Sequence, residues 1–260
     1  MSIDLVTVVL DRSVAVLRLC DPARRNVLSR DMVAALGVAL DGIESDGSAR
    51  CLVVTGHGSA FCAGAELSTL LQAGRGEFDA VRAVYDGFLR VLHSPLLTIA
   101  AVNGPAVGAG LNLALACDVR LASERAFFDT RFAQLQLHPG GGHMWLLQRA
   151  VGYQQAALAC LLSQTWDARQ AEAAGLVASV HPGDDLVEAA VRLGASLEGQ
   201  DAALARRMVA SFRAEYGEPS HARALAMETT AQQWSTAQPG FVSAVAAIEA
   251  RIAAPRPTPG

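Results

Sequence analysis

Two short runs of small residues offer main-chain chemistry. Residues 62–66 read Cys-Ala-Gly-Ala-Glu, and residues 108–110 read Gly-Ala-Gly. A Gly-rich turn that opens a helix leaves backbone N–H groups without intrahelical partners, at the helix end that favours negative charge. If the two runs face each other, each gives one N–H to a single carbonyl oxygen. Small residues suit that use, because a side chain would block the approach. Two such donors polarise a thioester and stabilise the enolate formed from it. The same glycines would also serve tight turns and close helix–strand packing alone, so both uses stay open on these residues.

Each run follows an apolar segment that reads as a buried strand, 51–56 before the first and 97–102 before the second. Asn103-Gly104-Pro105 breaks the second strand, and a small-residue helix follows to Cys117. Upstream, 5–10 and 14–19 read as a hairpin, and Ser29 can cap a helix running to about Ile43. Residues 67–76 are poorly specified and suit a mobile lid, and 78–92 reads as a helix. Short strands are expected at 119–122, 126–129 and 176–180, with helices at 145–151, 154–162 and 168–174. Only helices follow, at 186–197, 202–214, 221–234 and 241–253, before a Pro-rich tail expected to be disordered. Strands alternating with helices, then helices alone, indicate an α/β core with a helical extension.

Composition narrows the chemistry. The 260-residue chain contains no lysine, so Schiff-base and pyridoxal-phosphate chemistry on a lysine amine is excluded, as is the phosphate-binding P-loop. The net charge is −4, with no basic stripe, which speaks against a nucleic-acid partner. No apolar span is long enough to cross a membrane, and the N-terminus lacks the pattern of a signal peptide. Five scattered cysteines without C-x-x-C spacing fit reduced thiols and a cytoplasmic location. Cys62 reads as a small apolar residue despite its place in the first run. The six histidines show no metal-ligand spacing, so no metal is expected.

Residues 59–67, Ser-Ala-Phe-Cys-Ala-Gly-Ala-Glu-Leu, resemble the first signature of the crotonase (enoyl-CoA hydratase/isomerase) superfamily. Residues 101–110, Ala-Val-Asn-Gly-Pro-Ala-Val-Gly-Ala-Gly, resemble its second. The likeness extends through 23–28, the strand beside Asp118, Pro139-Gly140 and 174–177, covering nearly the whole chain. It implies a stack of ββα turns over 1–195, a helical region over 196–254 that trimerises, and a tail at 255–260. The implied ligand is an acyl-CoA thioester, with no permanently bound cofactor and a homotrimer or dimer of trimers as the assembly. By resemblance, the N–H groups of Ala65 and Ala109 are the oxyanion donors. The backbone around Ala63, Gly64 and Gly108 belongs to the CoA site, with Ala63 meeting the adenine. Arg24 or Arg25 would approach the phosphates, although the two arginines also read as a solvated basic loop.

The pattern breaks at the acid–base residues. Hydratases of this family use two glutamates, and those seats hold Asn112 and Phe132 here. A third seat, used by some relatives for a carboxylate, holds Gly140. Asn112 can hydrogen-bond a water or a thioester oxygen but takes no proton near pH 7. A general acid or base contributes about 10²- to 10⁴-fold in rate, so ordinary hydration is expected to be very slow. Asp129, His138 and His143 are the ionisable residues nearest the empty seats, with His138 or His143 expected as any base. Structural roles for both histidines remain open, Glu66 is expected to point away from the acyl group, and Tyr85 and His93 read as packing or surface residues. Two functions therefore compete: an acyl-CoA enzyme that depends on enolate stabilisation, and a non-catalytic acyl-CoA carrier or sensor. A dinucleotide-binding domain is disfavoured, because the glycine spacing is wrong and no acid ends the strand at 119–122.

Overall fold

The computed structural model describes residues 4–73, 75 and 78–217, together with positions 223, 227, 229–231, 234 and 241. The expected helices at 221–234 and 241–253 and the tail at 255–260 lie outside the continuously described residues. The chain divides into two compact units, Met1–Glu198 and Gly199–Gly260.

The first unit is built on a six-stranded sheet. Strands β1 (Val6–Asp11) and β2 (Val14–Leu19) form the expected hairpin, pairing antiparallel from Val6↔Leu19 to Asp11↔Val14. Next to β2 run β3 (Cys51–Gly56), β4 (Leu97–Val102), β6 (Val119–Ser123) and β9 (Ser179–His181), all parallel. A smaller sheet joins β5 (Ala106–Val107), β7 (Phe127–Asp129) and β8 (Trp166–Asp167).

The central strands β3 and β4 are almost wholly buried and mainly apolar because both faces of the sheet are covered, and their two threonines, Thr55 and Thr98, hydrogen-bond the Ala101 carbonyl and Asp118. Side chains alternate between the faces. Leu52 and Val54 of β3 and Ala100 and Val102 of β4 enter one core with Met32, Leu36 and Phe88. Cys51, Val53, Ile99 and Ala101 enter the other, under Leu186, Ala189 and Ala190. Helix α1 (Arg30–Asp46) starts where the Ser29 hydroxyl accepts the Met32 N–H at 3.2 Å. Helix α3 (Asp79–Leu92) buries Val81, Val84, Phe88 and Val91, while α7 (Leu186–Gly194) covers the opposite face.

Several expectations are corrected. Leu67–Ala73 is a helix, α2, nucleated as the Glu66 carbonyl accepts the N–H groups of Thr69 and Leu70. Helix α4 is short, Ala109–Leu115. The two helices expected at 145–151 and 154–162 are present as the halves of α5 (His143–Leu162), which is broken at Gly152, whose φ of 77° and ψ of 169° are not helical; only the start, at His143, is earlier than expected. The strand expected at 176–180 starts later. Leu176 and Val177 donate their N–H groups back to Ala171, at the end of α6 (Ala168–Ala173), so the ladder with β6 opens at Ser179. The two-residue strands β5 and β8 lie in segments to which the sequence assigns no element. In the second unit, α8 (Ala202–Glu215) follows an Asp201 cap and leaves Met208 and Phe212 exposed.

Candidate functional site

The two small-residue bends hang from the ends of adjacent strands β3 and β4. Two asparagines fold the first. Asn26 is fully buried, and its amide nitrogen donates to the carbonyls of His57, Ala60 and Phe61 at 3.0, 2.8 and 3.3 Å. Asn103 accepts the Gly56 N–H at 3.0 Å and donates to the Gly58 carbonyl at 3.1 Å. The bends are then tied together. The Cys62 N–H donates to Pro105 at 3.1 Å, and the Val107 N–H returns to Cys62 at 3.0 Å.

Small residues are required here by space. Gly64 has φ +95°, and a Cβ on it would stand 2.6 Å from the Val107 carbonyl oxygen and 3.4 Å from the Ala109 nitrogen. A Cβ on Gly110 would overlap the Cys62 carbonyl. Neither the Ala65 N–H nor the Ala109 N–H has a protein acceptor among the described residues. Ala109 is the first residue of α4, so its N–H is one of the donors that a helix leaves unpaired. Cys62 is fully buried, and burial pushes its thiol up to about 12, which makes it a packing residue rather than a nucleophile.

A cavity of about 710 Å³ opens beside the bends. Its lining includes Arg25, Ala63, Gly64, Ala65, Gly108, Ala109 and Asn112. Most other lining side chains are apolar, among them Leu70 of α2, Val81 and Val84 of α3, and Phe132, Leu135 and Leu137, with Thr130 and Arg131 as polar members. Arg25 joins this lining, and its carbonyl accepts the Ala63 N–H at 3.0 Å. Arg24 lies outside it, ion-paired with Asp21 at 2.7 Å and Glu66 at 2.5 Å. Glu66 is the single carboxylate in the cavity wall among the described residues, and Arg24 holds it at the rim.

The three seats that lack carboxylates converge. Asn112, Phe132 and Gly140 all line the cavity. Asn112 is buried and committed twice: Nδ2 donates to the Gly140 carbonyl at 3.2 Å, and Oδ1 lies 2.5 Å from Nδ1 of His143. With Oδ1 as acceptor, His143 carries its proton on Nδ1. Its Nε2 is buried without a partner, and its ring tilts 59° against Phe132 with centroids 4.9 Å apart. Burial lowers the His143 pKa to about 4, so the ring is neutral at pH 7. His143 does not line the cavity and instead braces Asn112 from behind. Asp129 is also buried outside the lining, paired with Arg131 at 2.6 Å. His138 does line the cavity. It lies 2.7 Å through Nδ1 from the Pro139 carbonyl, which must accept, so Nε2 is left as its basic nitrogen.

Tyr85, which the sequence marks as a packing or surface residue, lines the same wall. The position of Tyr85 on the buried stripe of α3 was the available signal, but its partner Gly140 lies in a distant turn. Among the described residues, no cluster of His, Cys, Asp or Glu could hold a metal ion. No helix among them is long and apolar enough to cross a membrane.

A fold of parallel strands whose glycine-bearing ends enclose an apolar cavity defines a class, and comparison with known proteins identifies the family. The family model described as enoyl-CoA hydratase/isomerase matches residues 10–249. The chain is 44% identical over 255 residues to the probable enoyl-CoA hydratase EchA14 of Mycobacterium tuberculosis, covering 95% of this chain and 98% of that protein. It is 36% identical over 185 residues to 2,3-dehydroadipyl-CoA hydratase of Escherichia coli, covering 71% of this chain and 72% of that one. Among solved structures, an enoyl-CoA hydratase from Bacillus anthracis superposes with a TM-score of 0.88 at 26% identity, over 95% of this chain and 96% of that one. A putative enoyl-CoA hydratase from Thermobifida fusca, solved with acetoacetyl-CoA, gives a TM-score of 0.80 at 28% identity over 90% and 95%. The chain belongs to the enoyl-CoA hydratase/isomerase family of the crotonase superfamily.

Proposed function

We propose that this protein binds acyl-CoA thioesters and polarises them, while ordinary hydration of an enoyl thioester is very slow. One observation carries the reading: the N–H groups of Ala65 and Ala109 lack acceptors on two bends joined through Cys62 and Val107. A thioester oxygen received by both would gain the charge stabilisation that enolate chemistry needs. Arg25, which lines the cavity, supplies the positive charge for the CoA phosphates, while Arg24 is already paired with Asp21 and Glu66; the backbone around Ala63 meets the adenine. His138 is the base available at the cavity wall. The metabolic role is acyl-CoA metabolism, in a cytoplasmic homotrimer or dimer of trimers. Met208 and Phe212, 58% and 72% exposed on α8, supply apolar surface for partner copies.

A non-catalytic carrier is the second reading. Asn112 favours it, because His143 and Gly140 hold this proton-inert side chain where a hydratase of the family has a glutamate. Calorimetry with butanoyl-CoA and crotonyl-CoA, followed by infrared spectroscopy of the bound thioester carbonyl, tests the main proposal. Micromolar binding with the carbonyl band moved to lower frequency is expected. Absence of binding, or binding with an unmoved band, rejects the polarising site. A panel of enoyl-, dienoyl- and hydroxyacyl-CoA substrates then separates an enzyme from a carrier by turnover.

A further inference from the structure

Strand β1 is an edge of the six-stranded sheet, and among the described residues only β2 pairs with it. The Leu5 carbonyl accepts the Cys20 N–H at 2.7 Å. Antiparallel ladders repeat such bonds at every second residue, so Leu5, Thr7, Val9 and Asp11 turn their main-chain groups towards β2. Val6, Val8 and Leu10 turn theirs the other way, each with an N–H and a C=O on the open side. Those outward groups have no partner among the described residues.

The side chains of this edge are apolar on both faces of the sheet. Val9 is 62% exposed, Leu10 50% and Val8 42%. Thr7 and Val9 face a groove of about 1030 Å³ that they share with Val16, Val187 and Val191. Val8 and Leu10 face a smaller groove, of about 300 Å³, beside Val38, Ala39 and Ile43 of α1. Folded proteins blunt their sheet edges with charges, prolines, bulges or a covering element. From Val6 to Leu10 there is no charge and no proline, and the register with β2 runs from end to end without a bulge. An unblunted apolar edge of this kind is a template for another strand.

The strand is complementary to itself. When two β1 edges meet antiparallel across a two-fold axis, only positions with outward groups exchange hydrogen bonds, so even-numbered residues oppose even-numbered residues. One register pairs Val6, Val8 and Leu10 entirely among themselves: Val8 opposes the partner's Val8, and Val6 opposes the partner's Leu10. In that register Arg12 opposes the partner's Asp4, so opposite charges meet at both ends of the pairing and no like charges face each other. We infer that β1 is a docking edge for a second copy of this chain, joining two six-stranded sheets into one across a two-fold axis centred on Val8. The inference is independent of the acyl-CoA reading, and a two-fold contact produces even-numbered assemblies.

Sedimentation velocity of the native protein and of Val8→Lys, Val8→Glu and Val8→Pro tests it. The native chain should sediment as an even-numbered assembly. Val8→Lys and Val8→Glu each set two like charges face to face on the axis, and each should halve the mass. Val8→Pro removes an outward N–H while leaving every bond to β2 in place, and should halve it as well. Mixing the Lys and Glu variants sets opposite charges across the axis and should restore the native mass, a rescue that a misfolded variant does not give. A monomeric or odd-numbered native protein overturns the inference. So does a native mass in Val8→Lys, or halved masses that mixing leaves unchanged.

Discussion

The bends at 62–66 and 104–110 present main-chain groups to the cavity, whereas Asn112, Phe132 and Tyr85 present side chains. The bends are tied to each other: Cys62 exchanges hydrogen bonds with Pro105 and Val107, and a Cβ on Gly110 would overlap the Cys62 carbonyl. The carboxylate seats are instead occupied by the side chains of Asn112 and Phe132 and by the bare Gly140, none of which takes part in the main-chain bonds between the bends. Polarising a carbonyl and moving a proton therefore have separate structural bases in this fold. One can persist after the other has been replaced.

Restoring carboxylates tests that separation most strongly. Asn112→Glu combined with Phe132→Glu should raise crotonyl-CoA hydration by about 10²-fold or more, followed as loss of the enoyl absorbance. No gain in a folded double variant would mean that the bends do not polarise the thioester. Deleting one donor attacks the other half. Proline is favoured at the first position of a helix, so Ala109→Pro removes that N–H with little cost to α4. The loss should be about 2.7–4 kcal/mol of transition-state stabilisation, measured as turnover of any converted thioester. The shift of the bound carbonyl band should shrink in parallel.

His143 gives a pH test of the brace behind Asn112. Its folded pKa of about 4 lies below the ordinary 6.5, so the unfolded chain takes up a proton first as pH falls. Its contribution is present above pH 6.5 and lost progressively towards pH 4, amounting to about 3 kcal/mol. Denaturant titrations across that window should show the loss, and His143→Phe should flatten it. An unchanged slope in the variant would assign the acid lability to another group. The smallest effect is expected from Gly110→Ala, about 1–3 kcal/mol of stability from crowding the Cys62 carbonyl, read by thermal unfolding. Full stability there would contradict the close contact between the bends.

Much of the main-chain half was legible before any coordinates, because buried strands, Gly-rich turns and small-residue helices leave local patterns. The helix at 67–73 was not, since it has no side-chain cap and leaves Leu67 and Leu71 exposed. In the side-chain half, the absence of carboxylates at 112, 132 and 140 was visible, but what fills the space was not. His143 drew attention as an ionisable residue near the empty seats, yet tertiary packing places it behind Asn112 with its proton on the shared hydrogen bond. Tyr85 reaches Gly140 across more than fifty residues of chain, a contact that no local periodicity encodes.

The pairing of β3 with β4 sets a dimension that the loops inherit. Thr55 stands opposite Ala101, and the bridge from Cys62 to Ala106 carries the same alignment past the strand ends. Neighbouring strands lie about 4.8 Å apart, so the gauge of the cleft is fixed by ladder spacing rather than by loop composition. Ligand selectivity in this protein must then evolve along the length and walls of the channel, while its width at the mouth stays locked to the sheet.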